Sequence, residues 1–127
     1  MFTRSFKKLM RSFGFAFKGL AYATHTQLNF RVHLIAALIA AFAGYALRIS
    51  VNEWQWVILS IALVLICELF NTALEYLVDL VSPGYNERAG RVKDIGAAAV
   101  TIAALFAFIT GIIIFLPKLL TLMHHAA

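Results

Sequence analysis

The sequence predicts an all-α integral membrane protein: one domain, residues 1–127, with three transmembrane helices after an N-terminal amphipathic surface helix. Hydrophobic residues make up 62% of the chain and the mean hydropathy is +0.85, whereas soluble domains are about 45–50% apolar. The chain has three long apolar runs, each near the ~20 residues that cross the hydrocarbon core of a bilayer. Composition and runs together exclude an ordinary soluble domain.

The N-terminal segment, about residues 2–24, is expected to form a helix in the membrane interface. Phe6, Leu9, Phe13 and Phe17 recur at helical spacing, and most basic residues of the segment fall on other faces. This arrangement is typical of a helix lying among lipid headgroups. The alternative is that the segment forms a fourth, irregular part of the helical bundle.

The apolar runs give the membrane helices, which we expect at about residues 30–48, 54–81 and 92–116. Trp54 and Trp56 stand where the second helix enters the bilayer, as interfacial aromatic residues do. Pro83 and Gly84 follow that helix and predict the main loop. Pro117 is expected to end the third helix.

The distribution of positive charge predicts the orientation. Six of the eleven Lys and Arg residues precede the first apolar run, three lie in loop 82–94, and only Arg48 and Lys118 lie on the opposite side. Since positive residues concentrate on the cytoplasmic side, the N-terminus and loop 82–94 are expected to be cytoplasmic. The basic N-terminal segment suits anionic headgroups. No nucleic-acid partner is expected, because the remaining surface is apolar.

A stripe of polar residues marks the second membrane helix, and it consists of Glu68, Asn71, Glu75 and Asp79. At about 100° per residue these positions fall at roughly 0°, −60°, −20° and +20° around the helix. Ionisable groups at membrane depth are costly and usually face a cavity or a partner. Three carboxylates and an amide on one narrow stripe therefore predict a site of chemistry.

The residue types of the stripe suit phosphoryl transfer. This reaction needs Mg²⁺ held by carboxylates and phosphate oxygens, cations on the phosphates and a group that orients the attacking hydroxyl. Glu68 is the deepest acid and suits the general base, whereas Glu75 is two turns nearer the cytoplasm and can reach a metal. Asn71 lies between them, and the Lys93-Asp94 pair starts the next helix.

Other interpretations of the same residues remain open. Glu68, Asn71 and Glu75 could form hydrogen bonds that only join the helices, and Asp79 could be a solvated surface residue. A proton-coupled transporter would explain a membrane carboxylate such as Glu68, but not several charged residues gathered at one membrane face. A structural membrane subunit would not need the stripe. His33 is expected to have a polar role at the interface.

The chain resembles a known family at this site. Residues 68–79 read ELFNTALEYLVD and residues 85–100 read YNERAGRVKDIGAAAV. These segments are similar to the E-x-x-N-[ST]-A-x-E-x-x-V-D and K-D-x-[AG]-[AS]-A-A-V signatures of the prokaryotic diacylglycerol kinase family, which includes the undecaprenol kinases. The resemblance extends from about Phe6 to Leu116.

The resemblance implies a homotrimer in the bacterial inner membrane, with active sites shared between protomers and with Mg-ATP and a lipid alcohol as substrates. Glu68 matches the catalytic base and Asn71 the residue that organises the phosphates. Glu75 and Gln27 match the positions of metal ligands. The implied nucleotide contacts are Lys8, Phe15, Gln27, Glu75, Gly84, Tyr85, Asn86, Lys93 and Asp94.

The chain departs from the family at two of these positions. Gln27 stands where members often carry Glu, so the metal site has one negative charge fewer, and Phe15 replaces a Tyr found in some members.

The expected reaction is transfer of the γ-phosphoryl group of Mg-ATP to a lipid hydroxyl. Diacylglycerol, giving phosphatidic acid, is favoured by the segment 85–100. The alternative substrate is undecaprenol, to whose kinases the segment 29–33 is closer.

Overall fold

A computed structural model describes all 127 residues and contains four α-helices and no β-strand. The helices are α1 (Phe2–Thr26), α2 (Leu28–Ala46), α3 (Val51–Val81) and α4 (Glu87–Ala126). By length and composition, α2, α3 and α4 are each able to cross a membrane. The structure thus confirms an all-α protein with three helices of membrane-spanning length. The most extensive helix interface is that of α3 with α4, followed by that of α3 with α2.

A single residue, Gln27, separates α1 from α2. Its backbone is extended (φ −108°, ψ 110°), so it ends one helix and begins the next. Ala23 and Phe30 are buried on either side of this break. The hydroxyl of Tyr22 donates a 2.9 Å hydrogen bond to the hydroxyl of Tyr76, which raises the pKa of Tyr22. This bond joins the end of α1 to α3 one residue beyond Glu75.

The turn between α2 and α3 is a helix-ending motif with a left-handed residue. Arg48 has φ 52°, its N–H donates to the carbonyl of Tyr45, and the N–H of Ile49 donates to the carbonyl of Gly44. These two bonds satisfy carbonyls that a helix end otherwise leaves unpaired. Arg48 has a Cβ in a conformation that favours glycine, so the turn carries some backbone strain. The turn reverses the chain within a few residues and sets α3 against α2.

The first turn of α3 is closed by a reciprocal cap. The Ser50 hydroxyl accepts a hydrogen bond from the N–H of Glu53, and the Glu53 carboxylate accepts one from the N–H of Ser50. Such a capping box satisfies two backbone donors that have no partner within the helix. The same carboxylate lies 3.3 Å from the Lys118 ammonium of α4. The start of α3 is therefore tied to α4 at the end of the molecule opposite the α3–α4 loop, which spans only residues 82–86 and not 82–94 as expected, because residues 87–94 already belong to α4.

The helix α4 is longer than the third membrane helix expected from the sequence. It begins at Glu87, where the Asn86 side chain accepts hydrogen bonds from the N–H groups of Arg88 and Ala89. It then continues through Pro117 to Ala126, so the prediction that Pro117 ends the helix is wrong. A proline removes one backbone hydrogen bond. The residues after Pro117, such as Leu119 and Leu120, are good helix formers and continue α4 beyond the proline.

Candidate active site

The polar stripe lies on the buried face of α3. The buried residues of α3 recur every three or four positions at Val57, Ser60, Val64, Glu68 and Asn71, and Thr72 beside Asn71 is buried as well. This spacing places them on one side of the helix, and α4 and α2 pack against α3. The face is mostly apolar in the first half of α3 and polar in the second half. The acidic residues predicted to carry chemistry therefore begin inside the helical bundle, not on the lipid-facing side.

Glu68 is the most enclosed acidic residue of the protein. Only 3% of its surface is exposed, and its carboxylate Oε1 lies 3.3 Å from Nε2 of His33, which belongs to α2. The His33 side chain is 26% exposed. The contact gives His33 a specific partner, which the expectation of a polar interface role did not name. A signal for it was present, because an ionisable residue within an apolar run needs a polar partner.

Asn71 lies between the two glutamates of the stripe and is hydrogen-bonded to Glu75. Its Nδ2 donates a 3.2 Å hydrogen bond to Oε1 of Glu75, while its Oδ1 is buried and has no hydrogen-bond partner. On the α4 side, Oδ1 faces Gly96 so closely that a Cβ built on this glycine would collide with it. The absence of a side chain at Gly96 therefore lets α4 approach the stripe. Burying an amide oxygen without a hydrogen-bond donor costs free energy. This oxygen is therefore available to accept a hydrogen bond from a ligand.

Asp79 and Lys93 close the stripe at the end of α3. The Lys93 ammonium pairs with the Asp79 carboxylate at 2.5 Å, and it joins the last turns of α3 to the first turns of α4. The pairing corrects the interpretation of Asp79 as a simply solvated residue. Both side chains are partly exposed, so the pair is expected to add little to stability. The main consequence of the pair is that Lys93, which precedes Asp94 in the chain, lies beside the acidic stripe.

Other predicted site residues form no hydrogen bond or ion pair with the stripe in the protomer. Gln27 donates to the hydroxyl of Thr26, and Asn86 caps α4. The remaining ones are exposed, namely Lys8 and Phe15 on α1, Gly84 and Tyr85 in the loop, and Asp94 on α4. The Phe15 ring is covered by the Lys18 ammonium, 5.7 Å from its centroid. The chain contains no group of three His, Cys, Asp or Glu residues placed to hold a metal ion.

A cavity of about 300 Å³ opens between α2, α3 and α4. Most of its lining is apolar, including Val57, Val64 and Phe108, and His33 is one of its few polar residues. Because His33 also contacts Glu68, the imidazole stands between the buried carboxylate and this apolar space. The arrangement places an apolar space beside the histidine that contacts the buried carboxylate.

The fold and the site together define a multi-pass helical membrane protein with a buried acidic site at the interface of its helices. Comparison with known families identifies its class. The family described as prokaryotic diacylglycerol kinase matches residues 14–115.

Individual relatives agree with this match. The chain is 36% identical over 112 residues to the undecaprenol kinase of Bacillus subtilis, which covers 88% of this chain and 91% of the relative. It is 42% identical over 116 residues to a diacylglycerol kinase of Synechocystis, over 91% of this chain and 66% of that longer protein. It is 36% identical over 112 residues to the diacylglycerol kinase of Escherichia coli, over 88% and 92% of the two chains.

The chain belongs to the prokaryotic diacylglycerol kinase family, as its signature segments predicted. It is a lipid phosphotransferase of the membrane. The alternative of a proton-coupled transporter finds no support among the relatives.

Proposed function

We propose that this protein transfers the γ-phosphoryl group of Mg-ATP to the hydroxyl of a membrane lipid, with diacylglycerol as the favoured acceptor and phosphatidic acid as the product. The family membership supports the reaction class. The observation that carries the assignment to residues is the buried carboxylate of Glu68, continued along one helix face by Asn71 and Glu75. Glu68, within the apolar bundle, suits a lipid alcohol as its substrate. Glu75, nearer the end of α3, suits a water-soluble nucleotide.

The length of α3 supports this division of roles. With 31 residues, α3 is about 46 Å long, whereas the hydrocarbon core is about 30 Å thick. Counting about 20 residues from the interfacial Trp54 places the other boundary of the core near Glu75. Glu68 then lies about 10 Å inside the boundary, and Asp79 lies outside it. A lipid hydroxyl would approach Glu68 from the membrane, and ATP would approach Glu75 from the cytoplasm.

The chemistry of the donor atoms fits Mg²⁺. Glu75 offers a half-buried carboxylate and Asn71 an unpaired amide oxygen, and both are the hard oxygen ligands that Mg²⁺ prefers. Glu75 would hold the ion together with phosphate oxygens, and Gln27 would add an amide oxygen. When bound, the ion neutralises charge on the phosphates. Since Mg²⁺ needs only one or two protein carboxylates beside the phosphates, we propose that a neighbouring protomer completes each site in the homotrimer that the family resemblance implies.

The residues of the chain have separate tasks in this reaction. Glu68 accepts the proton of the lipid hydroxyl as the oxygen attacks the γ-phosphorus, and the bond from that phosphorus to the oxygen bridging it to the β-phosphate breaks to release ADP. Asn71 positions a phosphoryl oxygen beside Glu75. Lys93, with its ammonium at the mouth of the site, attracts the triphosphate, as does Lys8 on α1. The loop residues Gly84, Tyr85 and Asn86 contact the nucleotide.

The orientation and the surface position of α1 form part of the same proposal. All of the first 22 residues are exposed in the protomer, and their basic side chains suit the anionic headgroups of the cytoplasmic leaflet. An α1 helix in the interface of the bacterial inner membrane, with the N-terminus and the segment 82–94 on the cytoplasmic side, would bring ATP to the end of α3 that carries Glu75. Undecaprenol is the alternative acceptor, since one relative is an undecaprenol kinase.

The test is phosphorylation of diacylglycerol and of undecaprenol, side by side, in mixed micelles with labelled ATP. Glu68→Gln should lower turnover by about 10²–10⁴-fold while the apparent KM for Mg-ATP stays nearly the same, because only the base is lost. Glu75→Gln should instead raise the concentrations of magnesium and ATP required. Glu87→Gln, which changes an exposed carboxylate paired with Arg91, is the matched control and should behave as wild type.

Two outcomes would contradict the proposal. If neither lipid is labelled by the wild-type protein, the lipid acceptor is wrong. If Glu68→Gln retains more than about a tenth of wild-type turnover, the base lies elsewhere.

A further inference from the structure

The contact between His33 and Glu68 has a role beyond packing. Glu68 is almost fully buried, and a buried carboxylate is costly unless a polar group compensates it. Two charged or titratable neighbours act on it: His33 from α2, with Nε2 at 3.3 Å, and Glu75 from its own helix. Glu75 repels a second negative charge. His33 is therefore the side chain that can stabilise the carboxylate and fix its direction.

The two carboxylate oxygens of Glu68 have different surroundings. The imidazole approaches Oε1 from α2, which leaves Oε2 available to another partner. Next to Glu68 on the buried face of α3 are Val64 and Asn71. The amide of Asn71 is already bonded to Glu75. A carboxylate held through one oxygen can present the other at a fixed angle to an incoming hydroxyl, which is the usual function of a group that orients a base.

We propose that His33 is a positioning residue, which holds Oε1 of Glu68 across the α2–α3 interface and so directs Oε2 at the hydroxyl of the lipid substrate. The inference rests on the proposed function, because it assigns His33 a role through the base. His33 also lines the apolar cavity between the three long helices. A hydrocarbon chain that enters this cavity would bring its polar end to the imidazole and the carboxylate together.

The test compares two replacements of His33 with a matched histidine elsewhere. His33→Leu removes the nitrogen that faces Glu68, and we expect turnover to fall about 10- to 100-fold. His33→Gln keeps an N–H donor at a similar reach and should recover most of the loss. His124→Leu makes the same chemical change in the exposed end of α4 and should leave turnover unchanged. The apparent KM for Mg-ATP should stay within about twofold in all three, because the nucleotide is bound by other residues.

A double-mutant cycle separates positioning from a general structural effect. If His33 acts through Glu68, His33→Leu should lower turnover in the wild-type background and have almost no further effect in the Glu68→Gln background. Equal losses in the two backgrounds would overturn the proposal. Full activity of His33→Leu, or a loss that His33→Gln does not recover in normally assembled protein, would overturn it as well.

An infrared measurement keeps the inference testable apart from the reaction. The carboxyl bands of Glu68 are identified as those that disappear in Glu68→Gln. They should shift in His33→Leu and stay in place in His124→Leu. Unshifted bands would refute the contact even in an active enzyme. If the wild type phosphorylates no lipid but the bands shift, the proposed reaction fails and the pairing of the two side chains stands.

Discussion

The close approach of α4 to the polar stripe gives a sharp prediction for Gly96. A methyl group at this position would collide with Oδ1 of Asn71, whereas the next nearest atoms, of Asn71 and Leu74, lie at 3.5 and 3.6 Å. Gly96→Ala therefore forces either the Asn71 side chain or the helix to move. Overpacking of this kind costs about 1–3 kcal/mol, and loss of the Asn71–Glu75 hydrogen bond adds about 0.5–1.5 kcal/mol.

Part of this cost is offset by the intrinsic preference of a helix for alanine. Replacing glycine by alanine in a helix interior gains about 0.5–1 kcal/mol, so the net loss for Gly96→Ala is about 0.5–4 kcal/mol. A net loss in this range lowers the melting temperature of a domain of this size by several degrees. Turnover should fall too, because Asn71 leaves its place beside Glu75.

The assay is thermal inactivation in detergent micelles, followed by lipid phosphorylation at a temperature where both proteins are folded. Gly111→Ala is the control on the same helix, since a Cβ there meets only the Phe115 ring at 4.0 Å. The control should match or exceed the thermal stability of the wild type. If Gly96→Ala is as stable and as active as Gly111→Ala, then α4 does not pack on Asn71 in the way described.

Three further predictions concern the metal, a turn and the orientation. Gln27→Glu should lower the magnesium concentration for half-maximal activity roughly severalfold, because it adds a charge at the second ligand position; superimposable magnesium titrations would remove Gln27 from the metal site. Arg48→Gly should raise the free energy of unfolding by about 0.5–1 kcal/mol, since glycine relieves the left-handed backbone at φ 52°; a lower melting temperature would contradict this reason. In a Cys67→Ala background, Tyr85→Cys should react with an impermeant thiol reagent only from the cytoplasm and Val51→Cys only from outside, and the reverse result would overturn the topology.

Much of the fold could be predicted because the governing patterns are local. An apolar run of membrane-spanning length requires a helix, since only a helix satisfies its own backbone hydrogen bonds in lipid. The run ending at Val81 and the breakers Pro83 and Gly84 therefore placed α3 and its loop. The prediction for Pro117 was wrong because it used the single rule that proline ends a helix, whereas the helix-forming residues around Pro117 continue α4.

Part of the candidate site was also predictable. The positions of Glu68, Asn71 and Glu75 depend only on helical periodicity, and this is sufficient to place them on one face. The hydrogen bond between Asn71 and Glu75 joins residues four apart on that helix. The signature segments also predicted the family to which the chain belongs, and the comparisons confirm this prediction.

The sequence by itself thus determined the membrane class and the helical stripe, because these depend on composition and on short-range spacing, and its signature segments identified the family by resemblance. Only the tertiary structure decided that His33 faces Glu68, that Gly96 lies against Asn71, and that Lys93 pairs with Asp79. Each of these contacts joins two different helices. Their formation depends on how far each helix is rotated and shifted against its neighbour, and that is set by the packing of many side chains at once.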